Sequence, residues 1–265
     1  MHNVEIDDFH LRDIKNEIHP SIFIKTQEYD LLIVRLPFKE GENELELISN
    51  AFIFTHDSYY FYDRNKQEFT DLKDTKGLYT LLNEKVNCAM SVSNDIYDKI
   101  EDIEDSFYEN ENVKNFNHLW FLYKNSLIKI NRTLVKTIEQ MKRFVQNYKR
   151  EDDFLEINFS DILEHLERSH RSSSHSLEKL DALYNFYVSN SNERINKTMY
   201  VLTLLSGVFL PLNLVVGFFG MNTTSLPFTQ GVGGTYFVGM ILLGLGIFAY
   251  AVTLFLKKTG KIYRE

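Results

Sequence analysis

The chain has 265 residues, 44% of them hydrophobic and 25% charged, and a formal net charge of −8. Residues 198–256 contain no Asp, Glu, Lys, Arg or His, and the nine residues after them carry a net charge of +3, so residues 1–197 carry −11. An acidic soluble part argues against nucleic acid as a partner. A single cysteine, Cys88, excludes a disulfide framework and a thiolate metal cluster.

Residues 1–75 predict an N-terminal α/β domain. Residues 8–18 suit a short helix, and runs rich in β-branched and aromatic residues at 21–26, 29–37, 45–54 and 59–62 predict strands. The turn-like residues 55–58 favour a hairpin within the sheet. The first residues are polar and acidic, unlike a signal peptide, so we expect this domain to stay in the cytoplasm.

Residues 76–197 predict a bundle and stalk of long helices, at about 76–108, 112–149 and 159–219. The third helix carries apolar residues at spacings of three and four, and Asn158 or Ser160 can cap its start. No helix breaker separates its first part from the charge-free run. We therefore expect one continuous helix to leave the cytosol and enter a membrane.

The charge-free run predicts two membrane spans. Residues 198–219 and 236–256 are each long enough to cross a hydrocarbon core about 30 Å thick as helices. The loop between them, 220–235, is rich in Gly, Ser and Thr. Arg194 and Lys197 precede the first span, and a basic tail, 257–265, begins with Lys257 and Lys258. The positive-inside rule then places both ends in the cytoplasm.

One face of the first span combines small polar groups with apolar ones. At 100° per residue, eight residues lie within about a third of the helix circumference. We call them the polar stripe: Asn196, Met199, Leu202, Thr203, Ser206, Leu210, Asn213 and Gly217. Its amides are costly against lipid and should face water or a partner helix. Periodicity alone favours pore lining and helix packing equally, and two helices cannot enclose a pore without further copies of the chain.

The end of the first span carries a recognisable triplet. The sequence runs Asn196-Lys-Thr-Met-Tyr-Val-Leu-Thr203 and then Pro211-Leu-Asn-Leu-Val-Val-Gly-Phe-Phe-Gly-Met-Asn222. A Gly-Met-Asn triplet that ends a first span, with a second span following, resembles the CorA family of divalent-cation transporters. The resemblance covers residues 160–258 well and extends loosely to 19–38.

The resemblance implies a homopentamer with a funnel-shaped α+β cytosolic domain, a stalk helix continuous with the pore helix, and two C-terminal transmembrane helices. The triplet Gly220, Met221 and Asn222 would form the selectivity filter, with Asn222 in a ring at the outer mouth. Amide oxygens can accept hydrogen bonds from the water shell that Mg²⁺ gives up reluctantly. Asn213 would form a second ring and Asn196 the inner end, and the apolar stripe members would gate by excluding water: Met199, Leu202 and Leu210.

A regulatory metal site is the second implication of the resemblance. The segment 159–165 is similar to the stalk region where the family binds a regulatory metal between protomers. Asp161 and Glu164 share a helix face there and can reach one ion, although an ordinary solvated face gives the same pattern. The remaining ligand would come from the neighbouring N-terminal domain. Two further sets are expected to be surface residues: Asp95, Asp98, Asp102 and Asp105, and His165, His170 and His175.

The sequence contains no nucleophile elbow, phosphate loop or dinucleotide fingerprint, so we expect no enzyme. We expect a multi-pass transporter of the cytoplasmic membrane that takes up Mg²⁺, driven by the membrane potential and gated by cytosolic metal. Many relatives that carry Mg²⁺ have an acidic outer loop, and this loop has none. Transport of Zn²⁺, Co²⁺ or Ni²⁺ by the same fold therefore stays open. The alternative of another class is a non-conducting membrane-anchored scaffold.

Overall fold

The computed structural model describes residues 6–39, 45–55, 58–109, 113–151, 153–221 and 233–262. They form two compact units, Met1–Asn185 and Phe186–Glu265. The first unit holds α1 (Asp8–Lys15), β1 (Ile22–Lys25), β2 (Asp30–Phe38), β3 (Glu46–Phe54), β4 (Tyr59–Asp63), β5 (Glu68–Asp71), α2 (Thr75–Tyr108) and α3 (Phe116–Tyr148). The long helix α4 (Glu156–Phe219) begins in the first unit and ends in the second, which also holds α5 (Gly234–Ile262).

The five strands form one antiparallel sheet in the order β1-β2-β3-β4-β5. Leu31 and Ile33 of β2 join Ile14 of α1 in one core cluster. The alternate residues Leu32 and Val34 are also fully buried, on the face that packs against α2 and α3. Because successive strand residues point to opposite faces, a strand covered on both sides is apolar at nearly every position. This explains the continuous apolar run in β2.

The strand β5 was not predicted from the sequence. It pairs with β4 in the register Tyr62↔Phe69 and Phe61↔Thr70. Only one of its four side chains is apolar, so it lacks the composition of a strand. Gln67, with a φ of 57°, turns the chain back and sets this register.

The bundle of α2, α3 and α4 buries stripes at spacings of three and four residues. Three of the buried positions on α4 are serines, at places where the sequence shows no apolar residue. The buried residues of α4 are Phe159, Ile162, Leu166, Ser169, Ser173, Ser176, Leu180 and Leu183. The serine hydroxyls have partners, since Ser169 contacts the Ser93 hydroxyl at 3.3 Å and Ser173 donates to the Leu127 carbonyl at 3.5 Å. Ser169 and Ser173 thus continue the helix interface with their own hydroxyls paired.

The start of α4 differs from the prediction. The helix begins at Glu156, so Asn158 and Ser160 lie inside it and the predicted cap was wrong. The rings of Phe154 and Phe159 stack with centroids 4.8 Å apart, which is the hydrophobic staple between the residue before the cap and the fourth helical residue. Apolar packing therefore fixes the start of this helix.

Two other helix ends differ from the prediction for local reasons. Helix α1 ends at Lys15, short of the predicted residue 18, because Asn16 is extended and its side chain accepts a hydrogen bond from the amide of Ile18 at 3.1 Å. Helix α3 begins at Phe116, later than the predicted 112, because Asn115 takes a left-handed conformation with a φ of 58°. The predicted α+β unit with long helices and an unbroken α4 is otherwise confirmed.

Candidate permeation helix and cytosolic metal site

Helix α4 is long and apolar enough to cross a membrane, and none of its most apolar window is buried inside the chain. A core helix of a soluble protein would bury such a window. In α5 the apolar stretch within the described side chains runs Tyr236–Val252, which falls short of a full span. The second span at 236–256 and the domain boundaries proposed from the sequence therefore stay predictions.

Half-buried side chains mark one face of the apolar part of α4. We call it the contact face, and its members recur every three or four residues: Leu204, Val208, Leu212, Val215 and Phe219. Leu212 lines a shallow apolar groove with Gly239, Leu242 and Gly246 of α5. Gly239, Leu242 and Gly246 are likewise half-buried, whereas Leu243, Ile247 and Tyr250 at the same groove are exposed. The contact face is therefore the side of α4 that packs against α5.

The polar stripe lies on the other side of α4. All eight of its residues are exposed, with Met199 at 61%, Leu202 at 63% and Leu210 at 67%. At 100° per residue, the mean direction of the polar stripe is roughly 180° from that of the contact face. Packing within one chain thus leaves this face uncovered. The sequence alone indicated which residues form the polar stripe, but it did not indicate where the stripe lies relative to α5.

Two threonine hydroxyls near the start of the apolar part of α4 are bonded within the helix. Thr203 donates to the carbonyl of Met199 at 2.8 Å, and Thr198 donates to that of Arg194 at 3.0 Å. Each hydroxyl keeps its lone pairs free to accept hydrogen bonds from water. Farther along, Pro211 interrupts the helical ladder at the carbonyl of Gly207, since proline has no N–H to donate.

Gly220 ends the helix in a tight conformation. Its amide donates to the Val216 carbonyl at 2.8 Å, and a Cβ at Gly220 would lie only 2.9 Å from that same oxygen. Any larger residue here would have to shift the turn. Met221 follows and is 47% exposed. Asn222, the predicted filter residue, lies outside the described residues.

The two predicted metal ligands lie on the exposed surface of α4, each beside a basic partner four residues on. The Asp161 carboxylate is 3.7 Å from Nε2 of His165, and that of Glu164 is 3.1 Å from the Arg168 guanidinium. In the described ranges, no group of three His, Cys, Asp or Glu side chains is placed to hold a metal ion. One chain therefore supplies at most part of such a site, and Arg168 competes for Glu164.

Two other acidic groups are neutralised by lysines. Asp95 accepts from Lys99 at 2.8 Å and from Lys39 at 3.1 Å, and the Lys99 hydrogen bond lowers the pKa of this carboxyl. Lys179 of α4 contacts Glu104 of α2, and that hydrogen bond raises the pKa of its ammonium. Of the acidic set that the sequence predicts to lie at the surface, Asp98, Asp102 and Asp105 are exposed as expected, whereas Asp95 is half-buried in its ion pairs. The pairing of α2 with Lys179 had no signal in the sequence.

Comparison with known proteins agrees with this architecture. The chain matches a family model described as a CorA-like Mg²⁺ transporter protein over residues 5–258. It is 23% identical over 188 residues to the cobalt/magnesium transport protein CorA of Thermotoga maritima, covering 68% of this chain and 51% of that one. It is 29% identical over 75 residues to the divalent cation transporter CmaX of Pseudomonas aeruginosa, covering 28% and 23%.

The fold has a solved counterpart. The CorA magnesium transporter of Methanocaldococcus jannaschii superposes with a TM-score of 0.76 at 16% identity, covering 93% of this chain and 82% of that one. The chain spans about half the length, or less, of the curated relatives that it matches. Since the family model covers nearly the whole chain and the fold agrees, this protein belongs to the CorA-like Mg²⁺ transporter family.

Proposed function

We propose that the chain is one subunit of a homopentameric divalent-cation channel that admits Mg²⁺ across the cytoplasmic membrane. The observation that carries this proposal is the position of the polar stripe, opposite the contact face that packs on α5. A ring of subunits that turns α5 outward turns the polar stripe inward. In the same ring both spans cross the bilayer and both ends of the chain lie in the cytoplasm.

The amides of Asn196 and Asn213 support such an arrangement. Within the described residues, neither side chain makes a hydrogen bond to another residue, and both are exposed. An amide that faces hydrocarbon without partners is costly, whereas an amide that faces a water-filled path is not. Assembly around water therefore satisfies both residues at once, and lipid contact satisfies neither.

The chemistry of the path suits a hydrated ion. Mg²⁺ sheds its first water shell reluctantly, so neutral oxygens that accept hydrogen bonds from this shell can pass the ion without stripping it. Asn222 and Asn213 would act in this way, as successive rings. The membrane potential contributes about 2.3 kcal/mol per charge per 100 mV, hence about twice that for a divalent ion.

Gating would use the apolar members of the polar stripe. Met199, Leu202 and Leu210 would narrow the path and exclude water in the closed state. Metal bound at Asp161 and Glu164 between neighbouring subunits would hold the ring together, and its loss would let the acidic faces repel and the path widen. The Thermotoga relative is a cobalt/magnesium transport protein by name, which supports a divalent cation as the cargo.

Ion uptake into liposomes tests the proposal. Purified protein is reconstituted with an ion-sensitive dye inside, and Mg²⁺ and Zn²⁺ are added in turn under an inside-negative potential. We expect Mg²⁺ entry that Asn222→Ala and Asn213→Ala both reduce. Asn190→Ala is the matched control, because Asn190 is exposed and points away from the polar stripe.

Three outcomes would refute parts of the proposal. If the protein took up Zn²⁺ but not Mg²⁺, the transported ion would be Zn²⁺ and the proposed cargo would be wrong. Equal loss of uptake in all three variants would remove the special role of the polar stripe. No uptake of either ion by well-folded protein would instead support the membrane-anchored scaffold.

A further inference from the structure

A basic groove lies in the first unit, between α3 and the first strands of the sheet. Its volume is about 280 Å³, and it is lined by Pro20, Ser21, Arg35, Leu47, Lys129, Arg132, Thr133 and Lys136. On α3 the lining residues follow a spacing of three, one and three, so they share one helix face. Four cationic side chains from α3 and β2 thus meet in one depression of an otherwise acidic unit.

Among the residues that the structure describes, most of these cations have no carboxylate partner. In the part of the chain that the structure describes, only Lys136 pairs with an acid, its Nζ lying 3.2 Å from Glu139. Arg35, Lys129 and Arg132 form no salt bridge there. Elsewhere in this unit exposed cations commonly pair, as Lys142 does with Glu167 at 2.7 Å. Concentrated, unpaired positive charge in a groove is the arrangement that anion-binding sites use.

The floor of the groove is held rigidly. The amide of Arg35 donates to the Ser21 hydroxyl at 2.8 Å, and the Thr137 hydroxyl donates to the Arg35 carbonyl at 2.8 Å. The hydroxyl proton of Thr137 is already donated to the Arg35 carbonyl. In the 2.7 Å contact between the Ser21 and Thr137 hydroxyls, Ser21 must therefore be the donor. This buried cycle fixes α3 against the chain before β1 and against β2. The cations above it are therefore presented on a preformed surface.

Arg35 supplies a directed donor at the edge of this floor. Its Nε donates to the Leu47 carbonyl at 3.3 Å, which orients the planar guanidinium, and the side chain is half-buried. An oriented guanidinium can offer two parallel N–H groups to two oxygens of a phosphate. Lys129 and Arg132, both exposed, add charge from the helix side.

We propose that this groove binds the phosphate group of a small anionic ligand. Its volume is near the lower limit of small-molecule sites, so it suits a phosphate or diphosphate group better than a whole nucleotide. The lining contains no aromatic ring on which a base could stack. Recognition therefore rests on charge and on the phosphate oxygens, and pyrophosphate binds as tightly as a nucleoside diphosphate.

The phosphate can come from a soluble ion or from a lipid headgroup, and the same groove chemistry serves both. Titration calorimetry of the full-length protein in neutral detergent, free of divalent cations, separates them. One arm uses inorganic pyrophosphate and the other a short-chain phosphatidic acid below its micelle concentration. Binding in either arm supports the site and names its source. Absence of binding in both arms overturns the proposal.

A charge-matched pair of variants tests the location. The double variant Lys129→Gln/Arg132→Gln removes two groove cations, and Lys114→Gln/Arg150→Gln removes one exposed lysine and one exposed arginine outside the groove. We expect the first to raise Kd at least about tenfold, equivalent to about 1.4 kcal/mol, and the second to change it less than about twofold. If both double variants raised Kd equally, general charge attraction would explain the binding, and the proposed site would be overturned. The readout is binding, so it is independent of whether the protein conducts Mg²⁺.

Discussion

The sharpest test of the proposed path compares two threonines on the same helix. Thr203→Val and Thr198→Val each replace a hydroxyl by a methyl group of similar size. Both hydroxyls are exposed and both donate to the carbonyl four residues earlier, Thr203 to Met199 and Thr198 to Arg194. Each substitution therefore removes one hydrogen bond of the same kind from the helix. They differ in direction, since Thr203 belongs to the polar stripe and Thr198 points about 100° away from its centre.

The expected effect follows from the lost hydrogen bonds. In a ring of subunits Thr203→Val removes every hydroxyl at one level of the path. If the hydrated ion contacts about two or three of them at once, at about 0.5–1.5 kcal/mol each, the barrier rises by about 1–4 kcal/mol. The rate of Mg²⁺ entry should then fall by roughly fivefold to a thousandfold. Thr198→Val should leave the rate within about twofold.

The assay is the initial rate of Mg²⁺ entry into liposomes that hold equal amounts of each protein under a fixed inside-negative potential. Thermal unfolding in detergent checks that both variants fold equally well. Equal rates for the two variants would contradict the assignment of the polar stripe to the path. A larger loss for Thr198→Val would place the path on a different face of α4.

Two further predictions concern the first unit. Asp161→Asn with Glu164→Gln should weaken inhibition of transport by cytosolic Mg²⁺, and Arg168→Gln should strengthen it, because the guanidinium 3.1 Å from Glu164 competes with metal. Tyr148→Phe should cost about 1.5–3 kcal/mol at neutral pH, since the Tyr148 hydroxyl donates to the buried Asp30 carboxylate at 2.8 Å. Burial raises the pKa of Tyr148 above its ordinary value of 10, so its contribution is complete below that pH and is lost as pH rises above it.

Each of these two predictions has its own check. The concentration of Mg²⁺ that halves transport should move in opposite directions for the acidic double variant and for Arg168→Gln, and a shift in the same direction would exclude metal at this face. Thermal unfolding between about pH 9 and 11 should vary less with pH in Tyr148→Phe than in the wild type. Tyr62→Phe is the control, because its hydroxyl donates to the neutral Gln67 at 3.0 Å, and an equal loss there would contradict the reasoning.

Much of the candidate site was predictable because its signals are local. The loss of charge after Lys197, the spacing of the polar stripe and the triplet at 220–222 all lie in short stretches of the sequence. Such patterns require only helical geometry and the cost of placing charge in lipid. The unbroken α4 and its membrane-crossing character follow from the same patterns.

Other features depend on residues far apart in the chain. Strand β5 is too polar to be recognised alone and exists because β4 pairs with it. The buried serines of α4 interrupt an apolar pattern and are tolerated because α2 and α3 supply hydrogen-bond acceptors and close packing. The basic groove joins residues of β2 to residues about a hundred positions later in α3.

The sequence by itself therefore determined the family, the helical elements and which side chains of α4 share a face, because these depend on composition and on the repeat of one helix. Only the tertiary structure decided which face of α4 packs against α5 and which stays open. Periodicity separates the faces of a helix but carries no information about its neighbour. That choice depends on how side chains from two helices fit together, which a single helix cannot specify.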